Sequence, residues 1–186
     1  YINEFQAKAA LADRAMKCLA RGDPVAISKL LCDEPEIVDV LNDEVFMEEW
    51  RAPGSGTDFD HDENREGEGM ICFLIQSDHR PEIILKCANA LLEAGYDTDG
   101  FALHWAVGDG HEELALALLE SGGSFDHGEG PAGEDPLYIA FDQNSDERMT
   151  RLLLDFEDES TQAEYVEDYG LVDYVPGSPC PWLPQP

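Results

Sequence analysis

The chain is short of positive charge. Eleven Lys and Arg stand against 41 Asp and Glu, a formal charge of −30 over 186 residues, far beyond what solubility requires. Such a field repels nucleic acid and anionic lipid, so direct binding to either is not expected. Long apolar runs are missing as well: none approaches the roughly 20 residues that cross a bilayer, and no secretory signal is visible. The chain starts at Tyr1, as a fragment or processed chain would. There is no nucleophile elbow, no phosphate-cradling glycine loop and no H-E-x-x-H, so neither catalysis nor a cofactor is expected. Cysteine forms no C-x-x-C pair. Cys18, Cys32, Cys72 and Cys87 fall in predicted helices, where the residue packs as a small buried apolar group. With Cys180 the count is odd, and without a disulfide framework it points to a reducing interior, cytoplasmic or nuclear.

What is present is repetition. Residues 100–122, GFALHWAVGDGHEELALALLESG, hold two short apolar helical segments joined by a Gly-His turn and closed by glycine. Each segment is too short to bury its apolar face alone, so similar units are expected on both sides. Downstream, Asp135-Pro136-Leu137-Tyr138-Ile139-Ala140 stands 34 residues after Phe101-Ala102-Leu103-His104-Trp105-Ala106, and Leu153-Leu154 stands 35 after Leu118-Leu119. Upstream, a unit runs from Met70 to Tyr96. Another covers Ile2 to Cys32, with Leu11, Ala15, Cys18 and Leu19 on one face and Ile27, Leu30 and Leu31 on the next. Its turn is Gly22-Asp23-Pro24, with Asp23 as the cap of the second helix and Pro24 at the first helical position.

At Leu103, His104, Ala106, Gly110, His111, Leu118, Leu119, Glu120 and Gly122 the sequence resembles the ankyrin-repeat family. Phe101 and Ala102 stand where that family has Thr-Pro. In the last unit Tyr138 takes the histidine position and Asn144-Ser145 the Gly-His, and Arg80-Pro81 departs from the usual turn. The resemblance covers roughly residues 5 to 160. It implies an all-α fold: an α-solenoid of stacked helix-turn-helix repeats with short β-hairpin or loop connections. The expected organisation is one domain over 1–160, with units at about 5–40, 67–96, 97–128 and 131–158. An acidic insertion over 43–66 follows the first unit, and an acidic, aromatic and then Pro-rich tail occupies 161–186. Val40 to Trp50 carries apolar residues at helical spacing, with Val45, Phe46 and Trp50 in the stripe. The inward stripe of the last unit is Met149, Leu152 and Leu153.

Charge is unevenly placed. Cys87 to Glu147 contains 14 acids and no Lys or Arg, and Asp33 to Glu68 another 14 acids against two arginines. Tyr1 to Cys32 is nearly balanced, with three acids and five bases. The acidic stretches would steer a basic partner, although a merely solvated surface has the same composition. Within the insertion, Asp58, Asp60 and Asp62 alternate as at the start of a calcium loop. Glu63 replaces the required glycine and Gly69 the closing glutamate, so a solvated acidic loop is favoured there.

Carried over by position, the family's binding surface implies Asp97, Asp99, Phe101 and Asp109 in the third unit, with Gly108 beside them. In the fourth it implies Glu134, Asp135, Asp142 and Gln143, and in the second Ser77 and Asp78. These are partner-binding candidates suited to Lys/Arg-rich segments around an apolar anchor. His104 and His111 match structural positions of the family, and Trp105 is expected in the core or as a partner anchor. The expected function is a non-enzymatic module that binds a basic protein or Lys/Arg-rich peptide. A nucleic-acid-mimicking inhibitor of a DNA- or RNA-binding protein is the alternative. The tail either caps the last repeat, which is favoured, or docks as a peptide on this or another molecule.

Overall fold

The computed structural model describes residues 2–51, 69–98, 100–122, 135–143, 146–158, 160, 162–163 and 166–167. Among them there are helices and turns and no strand. The connections between helix pairs that are described are loops, with no β-hairpin. The chain divides into two compact units, 1–102 and 103–186.

The first unit opens with α1 (Ile2–Ala20), rich in alanine and free of glycine and proline, with Glu4 in its first turn and Lys17 in its last. The turn after it contains Gly22, whose φ of 60° lies in the left-handed region. A side chain there would also meet the His79 ring at 2.9 Å, so glycine is required twice over. Helix α2 (Pro24–Asp33) starts as its sequence signals: Asp23 accepts from Ala26 N–H at 2.9 Å, and Pro24 occupies the first turn. Helices α3 (Glu36–Leu41) and α4 (Glu44–Arg51) follow, then α5 (Met70–Ile75) and α6 (Pro81–Glu93). Helix α2 packs chiefly on α6, and α1 touches α5. Second helix thus meets second helix and first meets first, which buries Ala15, Leu19, Ile27, Ile84 and Leu91 in one core.

Residues 40–51 differ from a single helical stripe. Asn42 and Asp43 break the helix, and Asp43 caps α4 by accepting from Phe46 N–H at 3.1 Å. The restart rotates Val45 to the surface, 69% exposed, while Phe46, Met47 and Trp50 turn inward. Four contacts from α4 and its cap dock this segment on α1. Phe46 packs its ring on Phe5 at 5.4 Å, Lys8 lies 5.7 Å above the Phe46 ring, Lys8 pairs with Asp43 at 2.6 Å, and Trp50 Nε1–H donates to Asp13 at 3.2 Å. The first part of the acidic insertion is therefore core of this unit. Its remainder, with Asp58, Asp60 and Asp62, lies outside the described residues.

Two further ties hold the unit together across long sequence separations. Tyr96, just after α6, accepts through its hydroxyl from the first amide of α5, Met70 N–H, at 3.0 Å. That amide has no partner inside its own helix. Asn42 pairs both ways with the chain after α6: its side-chain N–H donates to Gly95 O at 3.0 Å, and its oxygen accepts from Asp97 N–H at 2.9 Å.

Helix α7 (Gly100–Gly108) spans the boundary between the units. The second unit continues with α8 (Glu112–Glu120), a short helical turn α9 (Pro136–Tyr138) passing into a π-helical stretch (Ile139–Gln143), and α10 (Glu147–Leu154). Leu114, Leu118, Leu137, Met149, Leu152 and Leu153 fill its interior, so the inward stripe of the last helix is as its spacing predicts. Asp146 caps α10, accepting from the N–H groups of Arg148 and Met149. The C-terminal tail from 168 lies outside the described residues.

Cysteine departs from expectation at one place. Cys72 and Cys87 are buried and Cys18 is half-buried, whereas Cys32 is exposed on the side of α2 opposite Ile27. All four are free thiols. Among the described residues no helix is long and apolar enough to cross a membrane, and no group of three or more His, Cys, Asp or Glu is arranged to hold a metal ion.

Candidate functional site

The candidate acidic residues sit at helix ends, and helix length decides which of them can act together. Ser77 and Asp78 follow α5 at one end of α6, and Asp97 follows the other end. A helix of 13 residues keeps these ends roughly 20 Å apart, so they do not form one cluster. Phe101 belongs to the first unit and Asp109, after the end of α7, to the second.

Their side chains have different roles. Asp78, Asp97 and Asp109 are exposed. Asp97 has its backbone fixed by Asn42, which leaves its carboxylate pointing from an anchored position. Phe101 is half-buried. Ser77 is turned inward, its hydroxyl donating to Leu74 O. Asp135 is half-buried and accepts from Leu137 N–H at 2.8 Å, the N-cap of α9. An aspartate directly before a proline at a helix start carries that signal in sequence. Asp99 and Glu134 lie outside the described residues, as do the side chains of Asp142 and Gln143. His104 is buried, and His111 starts α8 without a side-chain capping bond. Trp105 is half-buried.

The ion pairs show where the scarce cations go. Among the described residues, Lys8 pairs with Asp43, Arg14 with Glu34, Lys29 with Asp33, Arg148 with Glu112 and Arg151 with Glu147. The carboxylates of Asp78, Asp97 and Asp109 enter none of these. Pairing acts on titration. The Lys8 ammonium, then the Phe46 N–H, holds the Asp43 carboxyl below its ordinary value, and Arg14 does the same for Glu34. Glu112 goes the other way: burial pushes its carboxyl up, Asp146 and Glu113 add to that, and Arg148 only partly offsets it.

A second surface feature was not singled out in the sequence. Between α1 and α2 lies an open groove of about 380 Å³. Arg14, Lys17 and Arg21 stand along its α1 side at spacings that share one helix face, and Lys29 stands opposite. Cys18, Ala26 and Leu30, all half-buried, form its floor. The near balance of charge in the first 32 residues was the available signal, but the helical spacing of the cations was needed to read it. Burial, and next Asp23, pushes the Cys18 thiol up, so this cysteine is a neutral part of the floor.

Comparison with protein-family models, with curated proteins and with solved structures finds no match, so no relative supplies a role for any of these residues.

Proposed function

We propose that this chain is a non-enzymatic ankyrin-type interaction module whose exposed acids bind a basic protein or a Lys/Arg-rich peptide. The observation that carries the reading is the mismatch between cations and acids. Lys8, Arg14, Lys29, Arg148 and Arg151 are held in ion pairs within the molecule, while Asp78, Asp97 and Asp109 face solvent outside every described pair. Exposed carboxylates outside these pairs add to the self-repulsion of a chain with charge −30, and in a field of this strength they raise the local concentration of cationic ligands. Stacking of first helix on first and second on second within residues 1–102 supports the repeat reading.

The test is a titration with a fluorescent Lys/Arg-rich peptide at low and high salt. Affinity is expected to fall steeply between about 0.05 and about 0.5 M salt as exposed charges are screened. Asp97→Asn combined with Asp109→Asn should weaken binding at low salt and flatten that dependence. An affinity indifferent to both salt and the double substitution rejects the proposal. Adding duplex DNA as competitor for a captured partner separates it from nucleic-acid mimicry, which requires mutual exclusion.

A further inference from the structure

We propose that the groove between α1 and α2 is a second docking site, of opposite preference, that takes an acidic peptide segment bearing an apolar anchor from a partner protein. The occupant follows from charge and shape. Arg14, Lys17 and Arg21 form a basic stripe about 10 Å long in a chain that otherwise concentrates negative charge. Arg14 and Lys29 already hold Glu34 and Asp33 at one end of the groove. Lys17 and Arg21 are exposed and enter no ion pair among the described residues. Two cations therefore remain to receive carboxylates, over a floor of Cys18 and Leu30 that takes an aliphatic or aromatic side chain.

The net charge of −30 does not forbid this. At physiological ionic strength charges further apart than about 8 Å are largely screened, so an incoming carboxylate responds to the stripe beside it more than to distant acids. A nucleic-acid backbone fits worse. Its continuous phosphates would run into Asp33 and Glu34, and it has no side chain for the apolar floor. A small inorganic anion would leave that floor uncovered. The groove belongs to the first helix pair alone and does not depend on Asp97 or Asp109, so this inference stands or falls separately from the one above.

The experiment is fluorescence anisotropy of the whole chain with a labelled synthetic peptide of about twelve residues, alternating Glu with Leu and carrying one Tyr. Saturable binding is expected, weakened at least about tenfold by Lys17→Glu with Arg21→Glu and unchanged by Asp97→Asn with Asp109→Asn. Lys17→Gln with Arg21→Gln should fall between, and a circular dichroism melt of each variant separates loss of binding from loss of fold. No saturable binding by the unaltered chain, or equal binding by the charge-reversed variant, overturns the proposal. So does preference for a DNA oligonucleotide over the peptide. Concentration-dependent self-association that the same reversal abolishes, without peptide binding, would give the groove to a second copy and also overturn it.

Discussion

Lys8–Asp43 in the first unit and Arg148–Glu112 in the second are ion pairs with the same 2.6 Å separation, yet their carboxyls shift in opposite directions. Around Asp43 the cation comes first in importance and a backbone N–H adds to it. Around Glu112 burial comes first, and Asp146 and Glu113 bring like charge. In a cation-poor protein an ion pair is therefore not a fixed quantity of stabilisation. Neighbouring acids and lost solvent decide its sign as much as the partner does.

The largest disturbance of that contrast is expected from Trp50→Ala. The indole is 1% exposed and fixes α4 against α1, and truncating a buried aromatic costs about 3–5 kcal/mol. Urea unfolding should register the loss. NMR titration should find the Asp43 carboxyl moving back up as α4 loosens, with Glu112 unmoved. Next comes Gly22→Ala, where strained backbone and the His79 ring combine, expected to cost about 1–3 kcal/mol. It touches no carboxylate, so Asp43 should keep its lowered value while the melting temperature drops. If both change together, the Asp43 shift reflects general stability and not its own pair.

Asp146→Asn tests the second unit from the side of like charge. Asparagine still caps α10, so the stability change should stay below about 1 kcal/mol. The Glu112 carboxyl should nevertheless titrate lower, because one repelling charge has gone. The smallest effects are those of pH. A lowered folded-state value means that Asp43 contributes stability above its ordinary carboxyl range and loses it as pH falls through the folded value. Glu112, with a raised value, contributes below its ordinary range and loses that as pH rises through the folded value. Lys8→Met should therefore blunt the acid-side loss of stability, and Glu112→Gln the loss just above the carboxyl range. Thermal melts from about pH 3 to 7 distinguish the two by the side of the carboxyl range on which each variant changes the melting temperature.

Helix pairs were legible where punctuation was strong. Gly22-Asp23-Pro24 marked a turn, a cap and a helix start in three residues, and each behaves accordingly. The break at Asn42–Asp43 was not legible, because neither residue forbids a helix and the apolar positions run on past them. Only docking on Phe5, Lys8 and Asp13, some 35 residues earlier, selects the rotated frame that expels Val45. The binding candidates divided similarly. Positions at exposed helix ends, such as Asp97 and Asp109, were placed by the repeat period. Ser77 and Asp135 share those positions, but short polar side chains at helix ends also satisfy nearby backbone groups. Sequence spacing alone does not separate the two uses.

Asn42 acts across 53 residues of sequence. By matching both a carbonyl and an N–H of the 95–97 link, its side chain staples the chain at the last residue before the insertion begins. Helix α4 therefore starts from a fixed point, and a span of 53 residues is closed by one side chain, at an entropic cost that grows only slowly with length. Asn42→Ala would remove both bonds at once and release the link that carries Asp97 from the start of α4.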